Sequence, residues 1–270
     1  MESVSNQPEI NNLKESKILG LPNLKNSRIN FYGKNNILYC TENVNLSNSV
    51  INFRGNNSLI ILNDNTHPYY IQTEIHDNCV LFIGENNYFN GKLTLILSER
   101  KNIIIGNSCL ISFGIIIRTA DPHLIYDCNT KRRINPSKSV YIGDHVWIGQ
   151  NTLLLKGSII GSGSIVGANS VISGKRIQSN CVYAGNPARK IREDVFFTNQ
   201  CVHRYQEKDT LEHEVYQSEE FIYSYEPKVQ IDISTIEQNL SYLTDAEEKR
   251  SYLECLLMKH NHKNRFFIMG

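Results

Sequence analysis

The sequence predicts a mainly β chain wound as a parallel β-helix, with one protruding loop and a helical C-terminal extension. Three observations predict it. An aliphatic residue returns at every sixth position, at Ile142, Ile148, Leu154, Ile160, Val166 and Ile172; Gln178 breaks the pattern and Ala184 resumes the phase. A charged, proline-containing stretch, RTADPHLIYDCNTKRRINPSKSV, interrupts two runs of good repeat. Beyond residue 234, STIEQNLSYL and TDAEEKRSYLECLLMKH carry apolar residues at helical spacing.

Neither the helical period near 3.6 nor the strand period of two explains a six-residue beat. A repeat that short is one flat side of a coil. The recurring aliphatic points inward and stacks on its equivalents, while Thr152, Ser158, Ser164 and Ser170 supply small residues for the corners. Gly and Asn near the turns suit positive φ. One coil cannot bury its own inner face, so stability comes from stacking coils at about 4.8 Å.

Taken in order, residues 1–30 are polar and Asn-rich, and a loose or helical lead-in is expected there. Residues 31–195 form the β-helix. Its early part alternates NILYC, SVINF, SLIIL, CVLFIGENN and KLTLIL with Asn and Gly turns, so these coils are expected to be irregular, with the beat ragged at Ile83, Phe89 and Leu95. The phase firms at Ile105, Ile111 and Ile117 and stops at Arg118. The loop over 118–139 follows, and a loop this long inside a solenoid is commonly functional. Residues 196–270 form the extension, helical from about 234. Thr244 or Asp245 is the expected cap of its second helix, and the extension is expected to pack on the coil's end or on another subunit.

The chain has 270 residues and a net charge of +1, which argues against nucleic acid or an anionic membrane as its main partner. No apolar run is long enough to span a bilayer, and the polar first residues do not read as a signal peptide. Seven cysteines lie scattered without metal-ligand spacing, so reduced thiols and a cytoplasmic location are expected. Cys79, Cys109 and Cys181 read as small core residues.

Taken together, the hexapeptide beat, the TxDxH-like segment of the loop, the following VWIG and the closing AGNPARKIR resemble the left-handed β-helix acyltransferases. The closest likeness within that family is to the O-acetyltransferases of capsular polysialic acid and similar bacterial polysaccharides. The resemblance covers about residues 75–195 and implies the left hand of the coil, which no sequence period reveals. It also implies acetyl-CoA as the donor, a sugar or polysaccharide acceptor, a homotrimer with sites between adjacent coils, and no metal.

Onto this chain the family's catalytic histidine falls at His123. An imidazole suits the task, since acetyl transfer to a hydroxyl needs a base near neutral pH. Asp121 is a candidate to orient the ring, with Asp127 further along, although an acid before Pro122 also makes turns. Trp147, the one tryptophan, is expected to face outward, as a wall for pantetheine or a sugar ring or as packing for a neighbouring subunit. The main-chain N–H of Gln150 matches the family's oxyanion donor, and Asn90 matches an asparagine supplied by a neighbouring subunit. Gly149, Ala168 and Ser170 are expected to permit close approach of coenzyme A, with Lys175, Arg189, Lys190 and Arg192 near its phosphates; GKRIQ departs from the family's usual segment at Lys175. Lys131, Arg132 and Arg133 are candidates for an anionic acceptor, such as a sialic acid carboxylate. His145, in the GDHVW turn, is expected at the surface. N-acetylation of an amino sugar or nucleotide sugar and a non-catalytic scaffold remain alternatives; the histidine spacing of γ-type carbonic anhydrases is missing after the loop.

Overall fold

The computed structural model describes residues 1–270, and its strands form three parallel faces wound as a stacked coil. Face I is an eight-stranded sheet running from Lys17–Leu19 to Arg176–Ile177. Face II begins with Asn23–Lys25 and Asn45–Ser47, passes through a bridge at Tyr69, and continues from Tyr88–Phe89 to Val182–Gly185. Face III runs from Arg28–Phe31 to Val171–Ile172, with the short strand Glu2–Val4 pairing antiparallel at its open edge. The chain visits face I, then II, then III in each coil. A strand, Ala188–Arg192, folds back antiparallel on Val182–Gly185 and closes the far end.

The coil therefore starts at Lys17, inside the segment expected to be a lead-in. The coils are also of two sizes. In the N-terminal half, equivalent residues stand 22 apart, as Asn30 and Asn52 do. After the loop they stand 18 apart, as Asp144 and Ser162 do. This is why the six-residue beat is ragged early and clean late. The larger coils still take six-residue steps from Ile83 to Phe89 to Leu95, but then spend extra residues on the corner around Glu99 and Arg100, both at left-handed φ, 54° and 59°. Asn35, Asn57 and Asn78 stand at left-handed φ at successive passes of one corner; asparagine tolerates this conformation better than other side chains with a Cβ.

Inward residues stack in register. On face III the column runs Ile29, Ile51, Thr73, Leu95, Ile117, Leu154 and Ile172, each fully buried. Each such aliphatic contributes roughly 1.5–3 kcal/mol of burial. Thr73 is the polar member, and its hydroxyl has no partner. Cys79, Cys109 and Cys181 lie buried.

The C-terminal extension packs on the outer side of face I of its own chain, not on the coil's end as expected. It contains α1 (Glu207–Glu212), α2 (Ile233–Tyr242) and α3 (Ala246–Leu253), the last capped by Asp245. Ile236, Leu240, Leu253, Leu257 and Phe266 form a second core with Leu59, Ile61, Val80, Phe82 and Ile104, which point outward from face I. The reason was present in the sequence: LIIL, VLFI and the III of Ile103 to Ile105 are unbroken apolar runs, the mark of strands buried on both sides. Polar anchors fix the sheath. Glu237 meets Lys101 Nζ at 2.6 Å and accepts from the Tyr141 hydroxyl at 2.7 Å. Arg265, fully buried, donates to both carboxylate oxygens of Asp144 at 2.9 Å.

Candidate active site

The loop leaves face III after Arg118 and returns to face I at Val140, so it stands on the edge between those faces. It is an ordered structure. Its outer part is a small hairpin, with Ile134 N–H donating to Ile125 O and Asp127 N–H to Arg132 O, both at 2.9 Å. Asp127 Oδ1 accepts from the N–H groups of Asn129 and Thr130 and shapes the tip. Those bonds hold its carboxyl below the usual range, and they make it a turn former.

His123 sits at the base of the hairpin, exposed, and its ring hydrogen-bonds to no protein group. Asp121 does not reach that ring. Its Oδ2 meets Lys156 Nζ at 2.5 Å and accepts from Asn135 Nδ2 at 3.0 Å. These two donors, Lys156 first, push the Asp121 carboxyl below its ordinary value. The expectation that Asp121 orients the imidazole is thus replaced by a tie to the loop's return limb. Arg133 is likewise engaged: it forms a double hydrogen bond with Glu99 at 2.6 and 2.8 Å, which removes it from the acceptor candidates. Arg132 is exposed at the tip without an ion pair, and so is Lys131.

Trp147 lies elsewhere. It faces outward from face II between Leu110 and Ile165, 43% exposed. Its ring centroid is 5.9 Å from that of Phe197, which in turn stacks on His145 at 4.0 Å. His145 is 2% exposed, so the surface position expected for it is wrong; the segment after the closing strand covers it. Burial pushes its pKa down, and Nε2 bonds to Phe197 O at 2.9 Å. Asn90 follows the face II strand Tyr88–Phe89 and is exposed. Gln150, at the corner leading to face III, is exposed, and its N–H has no backbone partner.

Within one chain, then, His123 and Trp147 stand on different sides of the coil. The loop occupies the edge between faces III and I, whereas Trp147, Asn90 and Gln150 belong to face II and its corner with face III.

The residues expected along coenzyme A divide as well. Ala168 is exposed. Gly149 is glycine because of stacking, since a Cβ there would meet Ala168 N at 2.6 Å. Ser170 is fully buried and accepts from Gly185 N–H at 3.0 Å, so its position inside the corner takes it out of reach of a ligand. Lys175 donates to the Ala188 carbonyl, and Lys190 pairs with Glu193 at 2.6 Å; both lysines brace the closing strand. Arg189 and Arg192 are exposed and unpaired.

A family model described as bacterial transferase hexapeptide (six repeats) matches residues 139–174. Over 120 residues the chain is 32% identical to a polysialic acid O-acetyltransferase of Neisseria meningitidis, covering 44% of this chain and 55% of that one. Over 102 residues it is 38% identical to a polysialic acid O-acetyltransferase of Escherichia coli O1:K1 / APEC, covering 38% of this chain and 33% of that one. The matched stretches thus span about half and a third of these relatives. Among solved structures, the polySia specific acetyltransferase NeuO aligns at TM-score 0.62 and 25% identity, over 74% of this chain and 95% of that chain. The polysialic acid O-acetyltransferase OatWY aligns at 0.55 and 27%, over 75% and 100%.

The chain is similar to the polysialic acid O-acetyltransferases. Its fold is theirs, the left-handed parallel β-helix of hexapeptide repeats. Three residues that brace the loop, Lys156, Asn135 and Glu99, are not singled out by any sequence motif. Glu99 meets the loop from an earlier coil, 34 residues before Arg133, and no sequence spacing announces that contact. Asn135 carried a weak signal, since it immediately precedes Pro136 on the loop's return limb.

Proposed function

We propose that this chain is an acetyl-CoA-dependent O-acetyltransferase acting on a hydroxyl of a bacterial surface polysaccharide, with polysialic acid as the first acceptor to test. The observation that carries this reading is the likeness to two polysialic acid O-acetyltransferases along nearly their whole coils, joined to an exposed histidine on the one long loop. His123 is the general base. Its free imidazole nitrogen takes the acceptor's hydroxyl proton as that oxygen attacks the thioester carbonyl. The Gln150 N–H donates to the oxyanion of the tetrahedral intermediate. Collapse breaks the carbon–sulfur bond, and the thiolate of coenzyme A recovers the proton from the imidazolium. No covalent acetyl-enzyme and no metal take part.

The active unit is a homotrimer. One chain separates His123 from Trp147 and Gln150, and a neighbour's face II corner set against the loop edge supplies the missing wall. Arg189 and Arg192 face the phosphates of coenzyme A, and Arg132 faces the acceptor's carboxylate. The reaction runs in the cytoplasm, which suits seven unpaired thiols.

The experiment is His123→Ala, assayed by thiol release from acetyl-CoA in the presence of polysialic acid. Loss of a positioned base costs about 10²–10⁴-fold in kcat. Near-normal turnover by a folded His123→Ala oligomer refutes the mechanism. An alkali-stable product would transfer the assignment to N-acetylation.

A further inference from the structure

We infer that Asn135 is the positioning residue for His123, working with Lys156; the inference rests on the general-base reading above. His123 is exposed and no protein group holds its ring, so nothing in the chain fixes the imidazole directly. The backbone that carries it is fixed instead, and by one side chain. Asn135 is 6% exposed, and both ends of its amide are used. Nδ2 donates to the His123 carbonyl at 2.8 Å and to Asp121 Oδ2 at 3.0 Å. Oδ1 accepts from Ile125 N–H at 2.9 Å. The amide therefore clamps the segment on both sides of His123, from Asp121 to Ile125, against the loop's return limb.

Lys156 locks the clamp. From the corner after Leu154, its Nζ donates to Asp121 Oδ2 at 2.5 Å and to the Asn135 carbonyl at 3.0 Å. The loop is thus fastened to the coil through the residue that fastens His123. The chemistry selects asparagine here. The site needs a donor toward a carbonyl and a carboxylate, and an acceptor toward an N–H, on one short, planar group. Aspartate has the shape and the acceptor but no donor, and it would set a second carboxylate against Asp121. Leucine has the volume but neither function.

A base displaced by about 1 Å loses on the order of 100-fold in rate, whereas binding of a donor held by other residues does not change. Asn135→Ala and Asn135→Asp are expected to lower kcat by about 100-fold, with the KM for acetyl-CoA within a few-fold of wild type. Melting temperature and oligomer size report folding in each variant. A second readout does not depend on turnover: the Ile125 amide, whose proton Asn135 Oδ1 accepts, should lose protection from hydrogen exchange in Asn135→Ala. Wild-type kcat in both Asn135 variants, or unchanged protection of the Ile125 amide in Asn135→Ala, overturns the inference. Turnover in His123→Ala overturns the general-base reading instead, and the Ile125 exchange then still decides whether Asn135 holds the segment that carries His123.

Discussion

Replacing Arg265 with Met tests whether the C-terminal sheath is integral to the coil. Arg265 is fully buried, and Asp144 is 7% exposed. The guanidinium donates twice to that carboxylate and also to the Leu257 carbonyl at 2.6 Å. Asp144 Oδ1 has one further donor, the Asn107 N–H at 2.8 Å, so the methionine leaves Asp144 Oδ2 and the Leu257 carbonyl unsatisfied. Breaking a buried pair from one side costs about 3–5 kcal/mol, because the remaining charge is stranded. The same residue pins Phe266, whose ring lies in the second core. Urea unfolding should show the unfolding free energy falling by that amount, and hydrogen exchange should show α2 and α3 losing protection ahead of the coil. Adding Asp144→Asn should recover part of the loss, since the stranded charge is removed. A drop under about 1 kcal/mol would refute the reasoning, because that is what a solvated surface pair contributes.

Two further outcomes follow from the same geometry. Thr73 carries a partnerless buried hydroxyl between Ile51 and Leu95, so Thr73→Val should stabilise the protein by about 1–3 kcal/mol; a lowered melting temperature would show that the hydroxyl has a partner in solution. Glu99 is held down to about 2 by Arg133 first and by Ser137. Its folded pKa lies below the ordinary glutamate value of 4.5, so the clasp it makes with the loop is fully present above that pH and is lost as pH falls toward 2. Cleavage of the loop by an acid protease should therefore rise through that window, and Glu99→Gln should show fast cleavage already at its upper end. Identical pH profiles for the two proteins would remove Glu99 from the clasp.

The sequence by itself determined the coil. The six-residue return of aliphatics has no other physical use than stacking, and it identified the inward residues of the three faces at Ile142, Ile148, Leu154 and their successors. It also isolated the loop and His123, because a polar insertion with prolines cannot belong to a stacked side. The tertiary structure decided what each polar residue does. Asp121 and Arg133 read alike as site candidates, but one is tied to Lys156 and the other to Glu99, in coils far apart along the chain. Ser170 and Ala168 are both small and stand near each other, yet one points into a corner and the other out. His145 became a core residue because the chain after Arg192 folds back over it. In each case the outcome depends on which distant segment arrives: Lys156 stands 35 residues from Asp121, Glu99 stands 34 from Arg133 and Phe197 stands 52 from His145, spacings that the six-residue beat does not encode.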